Sequence, residues 1–346
     1  MLEVDGSQKS GSGTILRLSV ALAGILGEPL HIYNIRKKRS RPGLRPQHLE
    51  AVLTAAKICN ADVKGARLGS QELWFEPNEI EGGSFEAEIG TAGSISMLIM
   101  TVLPICIFSK KPIHLHILKG GTDVSHAPTI NYMRYVFLPM LRRMGVEAEI
   151  RVRRYGYYPK GMGEVFLDVQ PCRRLEPINI DDVGSIIGVY GYSVCTFLAN
   201  RRVAERQAKA ASQYLTAHGY KPQIKIFNDF SNPLQKGSSI VLWSETDTGA
   251  LLGSDAIGEL GKPSEAVGRE AAEKLLVEIS SGATVDIHLA DMLIPYIALA
   301  TDRSTYISRA MTDHLETNMW LAKKILGVNI YSIKKNGLYQ IVKEPS

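Results

Sequence analysis

Cysteine is scarce in this sequence of 346 residues, and long apolar runs and a strong excess of charge are missing from it. The four cysteines lie far apart, with neither metal-binding spacing nor a disulfide framework, which predicts a reducing, cytoplasmic location. No apolar run reaches the roughly 18 residues that a membrane span needs, and the N-terminus does not read as a signal peptide. A net charge of +5 with 45% hydrophobic residues excludes global disorder. We therefore expect a folded chain that is not a membrane protein and that leans weakly towards an anionic partner.

Two parts of the sequence resemble each other at a spacing of about 80 residues. The segment Pro29-Leu30-His31-Ile32 matches Pro112-Ile113-His114-Leu115, and each alternates like a strand after an apolar helical stretch. Each then leads through a basic or glycine-rich loop into a second helix, which we predict to start at Pro46 in one copy and at Pro128 in the other. Proline suits a first helical turn because its missing N–H has no intrahelical partner there.

A third, shorter copy is predicted near the C-terminus. Residues 288–300 form an apolar helical stretch, residues 304–308 read as a strand, and Asp313 opens a helix that ends near Gly327. Asn336-Gly337 then predicts a hairpin turn. Between the second and third copies about 100 residues are left over, counted against one repeat. Their strand, helix and strand pattern predicts a small inserted α/β domain at 180–275, within a core formed by 1–179 plus 276–346.

Two loops have compositions that favour binding of an anion. Residues 10–14 form a Ser/Gly loop before a helix, where backbone N–H groups can hold a phosphate, although a flexible turn has the same composition. Residues 36–48 hold six cations within ten positions, and Pro42-Gly43 indicates a loop rather than a helix face. The arginines outnumber the lysines, which favours directed contacts with phosphate over a merely solvated loop.

Three further candidates each have two interpretations. His314 lies in the first turn of a predicted helix, where the helix dipole lowers a histidine pKa and suits a nucleophile; a capping or packing role is the alternative. His288 and Asp291 lie on one side of a helix and are either a metal pair or an N-terminal polar turn. Residues 155–162 either stack nucleobases or form a rigid aromatic turn.

Taken together, these residues resemble the RNA 3′-terminal phosphate cyclases along essentially the whole chain. The run Pro42-Gly43-Leu44-Arg45-Pro46-Gln47-His48 is the most specific part of the resemblance. The other matching segments are residues 5–7, 15–17, 35–36, 39, 68–70, 91–94, 119–122, 127–128, 156–161 and 288–291. The resemblance implies an α+β fold of three βαβαββ repeats with a small inserted α/β domain.

The resemblance also implies a reaction. In this family a histidine attacks the α-phosphorus of ATP to give a covalent histidine–AMP, and AMP then passes to an RNA 3′-terminal phosphate. The neighbouring 2′-hydroxyl attacks the activated phosphate, a 2′,3′-cyclic phosphate forms and AMP leaves. A covalent intermediate splits one difficult step into two easier ones. ATP is therefore the expected cofactor, with Mg²⁺ or Mn²⁺ to offset the triphosphate charge, and RNA with a 3′-terminal phosphate is the expected partner.

Carried over by position, the resemblance assigns three groups of residues. The nucleophile is His314. The RNA 3′-phosphate is bound by Arg17, Arg36, Arg39 and Gln47. The nucleotide is bound by Thr14, Met100, Pro128, His288, Leu289, Ala290, Asp291 and Met292.

Four positions depart from the family's pattern, all on the nucleotide side. Ser10 replaces a metal-side glutamate, Met100 and Met292 replace glutamines, and His288 replaces a tyrosine, so the metal site cannot be assigned from the sequence. The alternative function is that of a non-catalytic, cyclase-like protein that binds RNA in RNA processing or ribosome maturation. Such relatives lack the nucleophilic histidine, and the presence of His314 favours the enzyme.

Overall fold

A computed structural model describes residues 1–345 and shows an α+β fold built on four small mixed sheets. The first unit runs strand, helix, strand, helix, strand, strand. Its elements are β1 (Leu2–Asp5), α1 (Gly13–Leu26), β2 (Leu30–Tyr33), α2 (Pro46–Cys59), β3 (Asp62–Lys64) and β4 (Leu73–Glu76). The sheet order is β1-β2-β4-β3, with β1 and β2 parallel and the other pairs antiparallel.

The second unit repeats this order with a more complex second helix. It contains β5 (Gly83–Glu88), α3 (Ile95–Cys106), β6 (Ile113–Gly120), α4 (Ile130–Tyr132), a π-helical turn (Met133–Phe137), α5 (Leu138–Arg143), β7 (Ala148–Arg154) and β8 (Gly163–Val169). The sheet order β5-β6-β8-β7 is equivalent to that of the first unit.

The next strand, β9 (Asn179–Ile180), belongs to a third sheet, but the strands that follow it form a separate fourth sheet. After β9 come β10 (Ile186–Thr196), α6 (Val203–Ala217), β11 (Gln223–Asp229), β12 (Gly237–Thr246), β13 (Leu251–Ile257) and α7 (Ser264–Ser281). This sheet has the different order β11-β10-β12-β13, and α6 packs against α7. The division of the chain into domains at 180 and 275 stays a prediction.

The third unit resumes after the inserted segment. It contains α8 (Ile287–Met292), α9 (Ile294–Leu299), β14 (Ser304–Ser308), α10 (Asp313–Leu326), β15 (Ile330–Lys335) and β16 (Leu338–Lys343). The order β9-β14-β16-β15 matches the first two sheets, and Asn336 and Gly337 turn the last hairpin with positive φ. The three repeated units expected from the sequence are therefore present as sheets of equivalent order.

Helices of the three units form the centre of the molecule. Helix α1, buried along most of its length, contacts α2, α3 and α10. The main hydrophobic cluster draws residues from all three units and also includes Tyr192, Val194, Val241 and Leu251 of the inserted sheet. This sheet is thus packed onto the core rather than tethered to it. All four cysteines are free and buried, and no helix within residues 1–345 is long and apolar enough to span a bilayer.

Several predicted boundaries need correction. Pro128 does not open a helix, because Thr129 is the N-cap and its side chain accepts a hydrogen bond from Tyr132 N at 3.2 Å, so α4 begins at Ile130. The stretch 288–300 is two short helices, not one, with Pro295 in the first turn of the second. Pro46 does open α2, as predicted.

Candidate active site

A pocket of about 390 Å³ is lined by residues from all three units and from the inserted segment. It contains eight of the candidate site residues: Thr14, Arg17, Met100, Pro128, His288, Asp291, Met292 and His314. Leu289 and Ala290 do not line it, because both side chains are fully buried in the hydrophobic core. Arg36 and Arg39, in the neighbouring basic loop, and Gln47, at the start of α2, also lie outside the lining.

His314 is held at the rim of this pocket by the start of α10. The Thr312 side chain caps that helix by accepting a hydrogen bond from Leu315 N at 3.0 Å. The Nδ1 atom of His314 lies 2.9 Å from the hydroxyl of Thr14, which also accepts a hydrogen bond from Arg17 Nη2 at 3.1 Å. Because Nδ1 has a partner, the other ring nitrogen, Nε2, is the one left for chemistry.

The surroundings of His314 favour its neutral form. Desolvation by packed neighbours lowers the pKa of His314, and the charges of Arg17 and Arg39 lower that pKa further. The lowered pKa predicted from the helix start is in the direction that the structure gives, with desolvation and arginine charge as its largest causes. A neutral imidazole keeps a nitrogen lone pair free, as a nucleophile requires.

Asp286 and Asp291 lie at the two ends of α8. Asp286 is fully buried; its carboxylate accepts hydrogen bonds from His288 N, Leu289 N and Gly253 N, and from the hydroxyl of Tyr132. Burial raises the pKa of Asp291 to about 8, with a further increase from Asp286 that Arg17 opposes. Asp291 is therefore largely protonated at neutral pH and can donate a hydrogen bond.

The inserted segment supplies pocket residues that the sequence analysis missed. Asp255 on β13 and Lys274 on α7 both line the pocket. Asp255 accepts a hydrogen bond from Thr129 N at 2.7 Å, and Lys274 donates one to the backbone oxygen of Asp255 at 3.1 Å. No local motif marks these two residues, because they reach the pocket only through the packing of the inserted sheet on α4.

The basic loop adjoins the pocket from the side of α2. Arg36 has a positive φ and donates through Nη1 to the backbone oxygens of Arg41 and Gly43, both at 2.8 Å. Burial, with the charges of Arg45 and Arg39, lowers the pKa of Arg36. Arg39 is exposed and has no ion-pair partner in the described part of the chain. Crowded cations of this kind are stabilised by an anion.

Gln47 and His48 follow this loop at the start of α2. The Oε1 atom of Gln47 accepts a hydrogen bond from Ser94 N at 2.8 Å, which leaves its amide N–H groups as donors. His48, absent from the predicted site residues, is only 5% exposed, and burial with three arginine charges lowers its pKa to about 3. A Cβ at Gly13 would lie 2.3 Å from His48 Nε2, so the Ser/Gly loop needs glycine there.

The residues around the pocket do not form a metal site by themselves. Within residues 1–345, no group of three or more His, Cys, Asp or Glu side chains could hold a metal ion. The Ser10 hydroxyl lies 3.0 Å from that of Ser12, and Lys9 is paired with Glu316 at 2.9 Å. His288 and Asp291 therefore have no third protein ligand.

Comparisons with known proteins place the sequence in one family. The family model "RNA 3'-terminal phosphate cyclase" matches residues 8–331. A protein of that name from Caldivirga maquilingensis is 45% identical over 100% of this chain and 98% of its own length. Another from Pyrobaculum aerophilum is 43% identical over 99% of this chain and 98% of its own. A third, from Staphylothermus marinus, is 45% identical over 97% and 95%.

The match over the whole chain defines an enzyme family that acts on the ends of RNA. This chain belongs to the RNA 3′-terminal phosphate cyclase family.

Proposed function

We propose that this chain converts an RNA 3′-terminal phosphate into a 2′,3′-cyclic phosphate, using ATP and a covalent intermediate on His314. The observation that carries the proposal is the placement of His314 at a pocket beside a loop of crowded arginines, with Nδ1 held by Thr14 and with its pKa lowered by desolvation and arginine charge. A nucleophile, a nucleotide-sized pocket and an anion site are thereby adjacent.

In the first step, Nε2 of His314 attacks the α-phosphorus of ATP. A P–N bond forms, the bond from that phosphorus to the β-phosphate oxygen breaks, and pyrophosphate leaves with the electron pair. The Nδ1–H group donates to the Thr14 hydroxyl, which stabilises the positive charge that develops on the ring. Arg17 donates a hydrogen bond to the same Thr14 hydroxyl, and its guanidinium can also bind the phosphate oxygens of ATP.

In the second step, an oxygen of the RNA 3′-phosphate attacks the phosphorus of the histidine-bound AMP and displaces His314. The RNA 2′-hydroxyl then attacks the terminal phosphorus, its proton is released and AMP leaves. Arg17, Arg36, Arg39 and the amide N–H groups of Gln47 bind the terminal phosphate in this proposal. Their charge is matched to the dianion of a monoester.

The proposal extends to the nucleotide, the metal and the location. ATP is the nucleotide, bound against Pro128, Met100 and Met292, and Mg²⁺ or Mn²⁺ is expected to enter with its phosphates, since protein ligands alone do not form a site. RNA with a 3′-terminal phosphate is the partner. The cytoplasmic location stays a prediction from cysteine usage.

The test is transfer of label from ATP to the protein. The protein is incubated with Mg²⁺ or Mn²⁺ and ATP labelled either at the α- or at the γ-phosphate, and protein-bound label is measured after denaturation. We expect label from α-labelled ATP only, abolished in His314→Ala and retained in His218→Ala, the control, because His218 is exposed on the inserted segment and does not line the pocket. RNA binding should be nearly unchanged in His314→Ala.

Two outcomes would contradict this assignment. An adduct that persists at the wild-type level in His314→Ala would place the nucleophile elsewhere. Absence of any adduct with either metal would favour the alternative, a cyclase-like protein that binds RNA without catalysis.

A further inference from the structure

An exposed aromatic and basic surface lies outside the pocket, on two loops that contact each other. We call it the ledge, and it consists of Tyr158, Lys160, Phe230, Leu234 and Lys236. The side chains of Tyr158, Phe230 and Leu234 are 78%, 62% and 55% exposed, although each is largely apolar. Single exposed apolar side chains are common on protein surfaces, whereas a cluster of them indicates a binding site.

The two loops of the ledge are held together by hydrogen bonds. Gln235 donates through Nε2 to the Tyr158 backbone oxygen at 2.9 Å, and its Oε1 accepts from Lys160 N at 3.3 Å. Asn232, fully buried, donates to the backbone oxygen of Tyr155 at 2.7 Å. The first loop comes from the second repeat and the other from the inserted segment, so the ledge is a preformed surface shared by both.

The aromatic run 155–162 divides into an anchor and an exposed part. Tyr155 and Tyr157 are buried, and the Tyr157 hydroxyl lies 3.0 Å from that of Thr196 in β10. Tyr158 points the other way, into solvent. From the sequence, this run was either a rigid aromatic turn or a surface that stacks nucleobases. The buried Tyr155 and Tyr157 form the rigid turn, and the exposed Tyr158 is available for stacking.

The ledge is continuous with the loop proposed to bind the RNA 3′-phosphate. Gly161 lies so close to residues 91–92 that a Cβ there would be 2.7 Å from the Thr91 backbone oxygen. Gly93, two residues on, would place a Cβ 2.9 Å from Gln47 Cβ, and Ser94 N donates to Gln47 Oε1. Residues 91–94 therefore contact Gly161, next to Lys160 of the ledge, and also contact Gln47.

The charge of the ledge suits an anionic chain. Lys160 and Lys236 are exposed and form no ion pair within residues 1–345. The nearest carboxylate along the second loop, that of Asp229, is 6% exposed and accepts hydrogen bonds from Thr196 and Ser231. It is therefore turned inward, and it does not neutralise the lysines at the surface.

We propose that the ledge binds single-stranded RNA just upstream of its 3′ end, with a nucleobase stacked on Tyr158 and backbone phosphates at Lys160 and Lys236. The inference rests on the proposed function for the identity of the RNA end. An unpaired strand is required because a base inside a duplex has no free face to stack. The ledge contacts bases only through their faces, so it binds without sequence preference.

The experiment compares two RNAs that share a 3′-terminal phosphate and differ in length. A dinucleotide reaches only the phosphate site, whereas an octanucleotide also reaches the ledge. Binding is measured by fluorescence anisotropy without ATP, so the result does not depend on catalysis. We expect Tyr158→Ala to weaken octanucleotide binding about 5-fold or more, as loss of one aromatic stack does, and dinucleotide binding less than about 2-fold.

Matched variants separate stacking and charge from effects on the fold. Tyr158→Phe keeps the ring and should bind as wild type, and Phe230→Ala on the other loop should weaken octanucleotide binding as well. Substituting both Lys160 and Lys236 by Ala should lower the slope of log affinity against log salt by about 1.4, since each phosphate contact contributes about 0.7 on a single strand. Lys335→Ala, an exposed cation on the third sheet, is the control and should change neither measurement.

The outcomes distinguish this inference from the proposed function. Unchanged octanucleotide binding in Tyr158→Ala, or an equal loss for both RNAs, would overturn the ledge as an RNA surface. So would tighter binding of an octanucleotide duplex than of the single strand. Failure of the wild-type protein to take label from ATP would refute the proposed function, and it would leave the binding result standing by itself. Unaltered thermal unfolding of the variants confirms that the exposed substitutions leave the fold intact.

Discussion

Replacing Thr14 by valine tests how the structure prepares His314 for attack. The Thr14 hydroxyl lies between two groups, 2.9 Å from His314 Nδ1 and 3.1 Å from Arg17 Nη2. Valine has nearly the same shape but cannot form either hydrogen bond. The start of α1 should be preserved, because the cap there is the Ser12 side chain accepting from the backbone N–H of Thr14, at 3.3 Å.

The expected magnitude follows from the bonds lost. A hydrogen bond contributes a net of about 0.5–1.5 kcal/mol, and more when one partner is charged, as Arg17 is. If the bond to His314 holds the ring in its attacking orientation, its loss appears as a rate for the first step that is about 3- to 10-fold lower. Thr14→Ser restores the hydroxyl and should restore most of that rate.

The pH dependence separates orientation of His314 from its titration. Its pKa lies below the usual histidine value because of burial and the charges of Arg17 and Arg39, and Thr14 is not among the causes. The first step should therefore be independent of pH around 7 and slow only as the pH falls through that lowered pKa, at the same position in wild type and Thr14→Val.

The assay is single-turnover transfer of label from α-labelled ATP at saturating nucleotide, without RNA. A Thr14→Val protein as fast as wild type would refute the argument that Thr14 orients the ring. A Thr14→Ser protein as slow as the valine variant would do so too, because it would show that shape rather than the hydroxyl matters.

Two further predictions concern Arg39 and Asp291. Arg39→Ala should weaken binding of RNA ending in a 3′-phosphate more than of RNA ending in a hydroxyl, because the charge that the guanidinium meets is absent from the second; equal losses in a binding titration would indicate a general backbone contact. Asp291→Asn should raise the free energy of unfolding near pH 8, because a pKa raised to about 8 means that ionisation costs stability as the pH rises from about 4 to about 8, and asparagine cannot ionise. The gain should be on the order of 1–4 kcal/mol, at about 1.4 kcal/mol per pKa unit and reduced for partial exposure. Denaturant unfolding at pH 5 and pH 8 checks this, and a constant difference between the two proteins would contradict it.

The repeated fold could be predicted because turn and cap residues mark its boundaries. Pro46 and Asn336-Gly337 act through their own backbone preferences, and the structure shows both elements as predicted. The helix start predicted at Pro128 was wrong because the N-cap hydroxyl is that of the next residue, Thr129. Helix α7 of the inserted segment was not predicted at all. Half of the residues that it buries are serine, glycine or alanine, which gives a weak apolar pattern.

The candidate site was predicted where one motif carries each residue and missed where packing alone brings residues together. The basic loop and His314 belong to contiguous motifs. Asp255 and Lys274 reach the pocket through the packing of the inserted sheet on α4, where Asp286 accepts hydrogen bonds from both Gly253 N and the Tyr132 hydroxyl. Gly253 and Tyr132 are 33 and 154 positions from Asp286 in the sequence, so no local sequence pattern predicts these contacts.

The departures from the family's pattern change how the pocket can hold a nucleotide. Met100 and Met292 line it where amide donors are usual, and a thioether offers adaptable apolar contact in place of hydrogen bonds. An apolar wall discriminates weakly between ligands of similar shape, whereas a buried polar group left unpaired by the wrong ligand discriminates strongly. The Oδ1 atom of Asn318 is such a group, because it is buried at the pocket without a hydrogen-bond partner among residues 1–345. Protonated Asp291, whose backbone oxygen accepts from Asn318 Nδ2 at 2.8 Å, adds a donor beside that acceptor. If the pocket binds ATP as proposed, we expect this pair to select the nucleotide in place of the positions now occupied by Met100 and Met292.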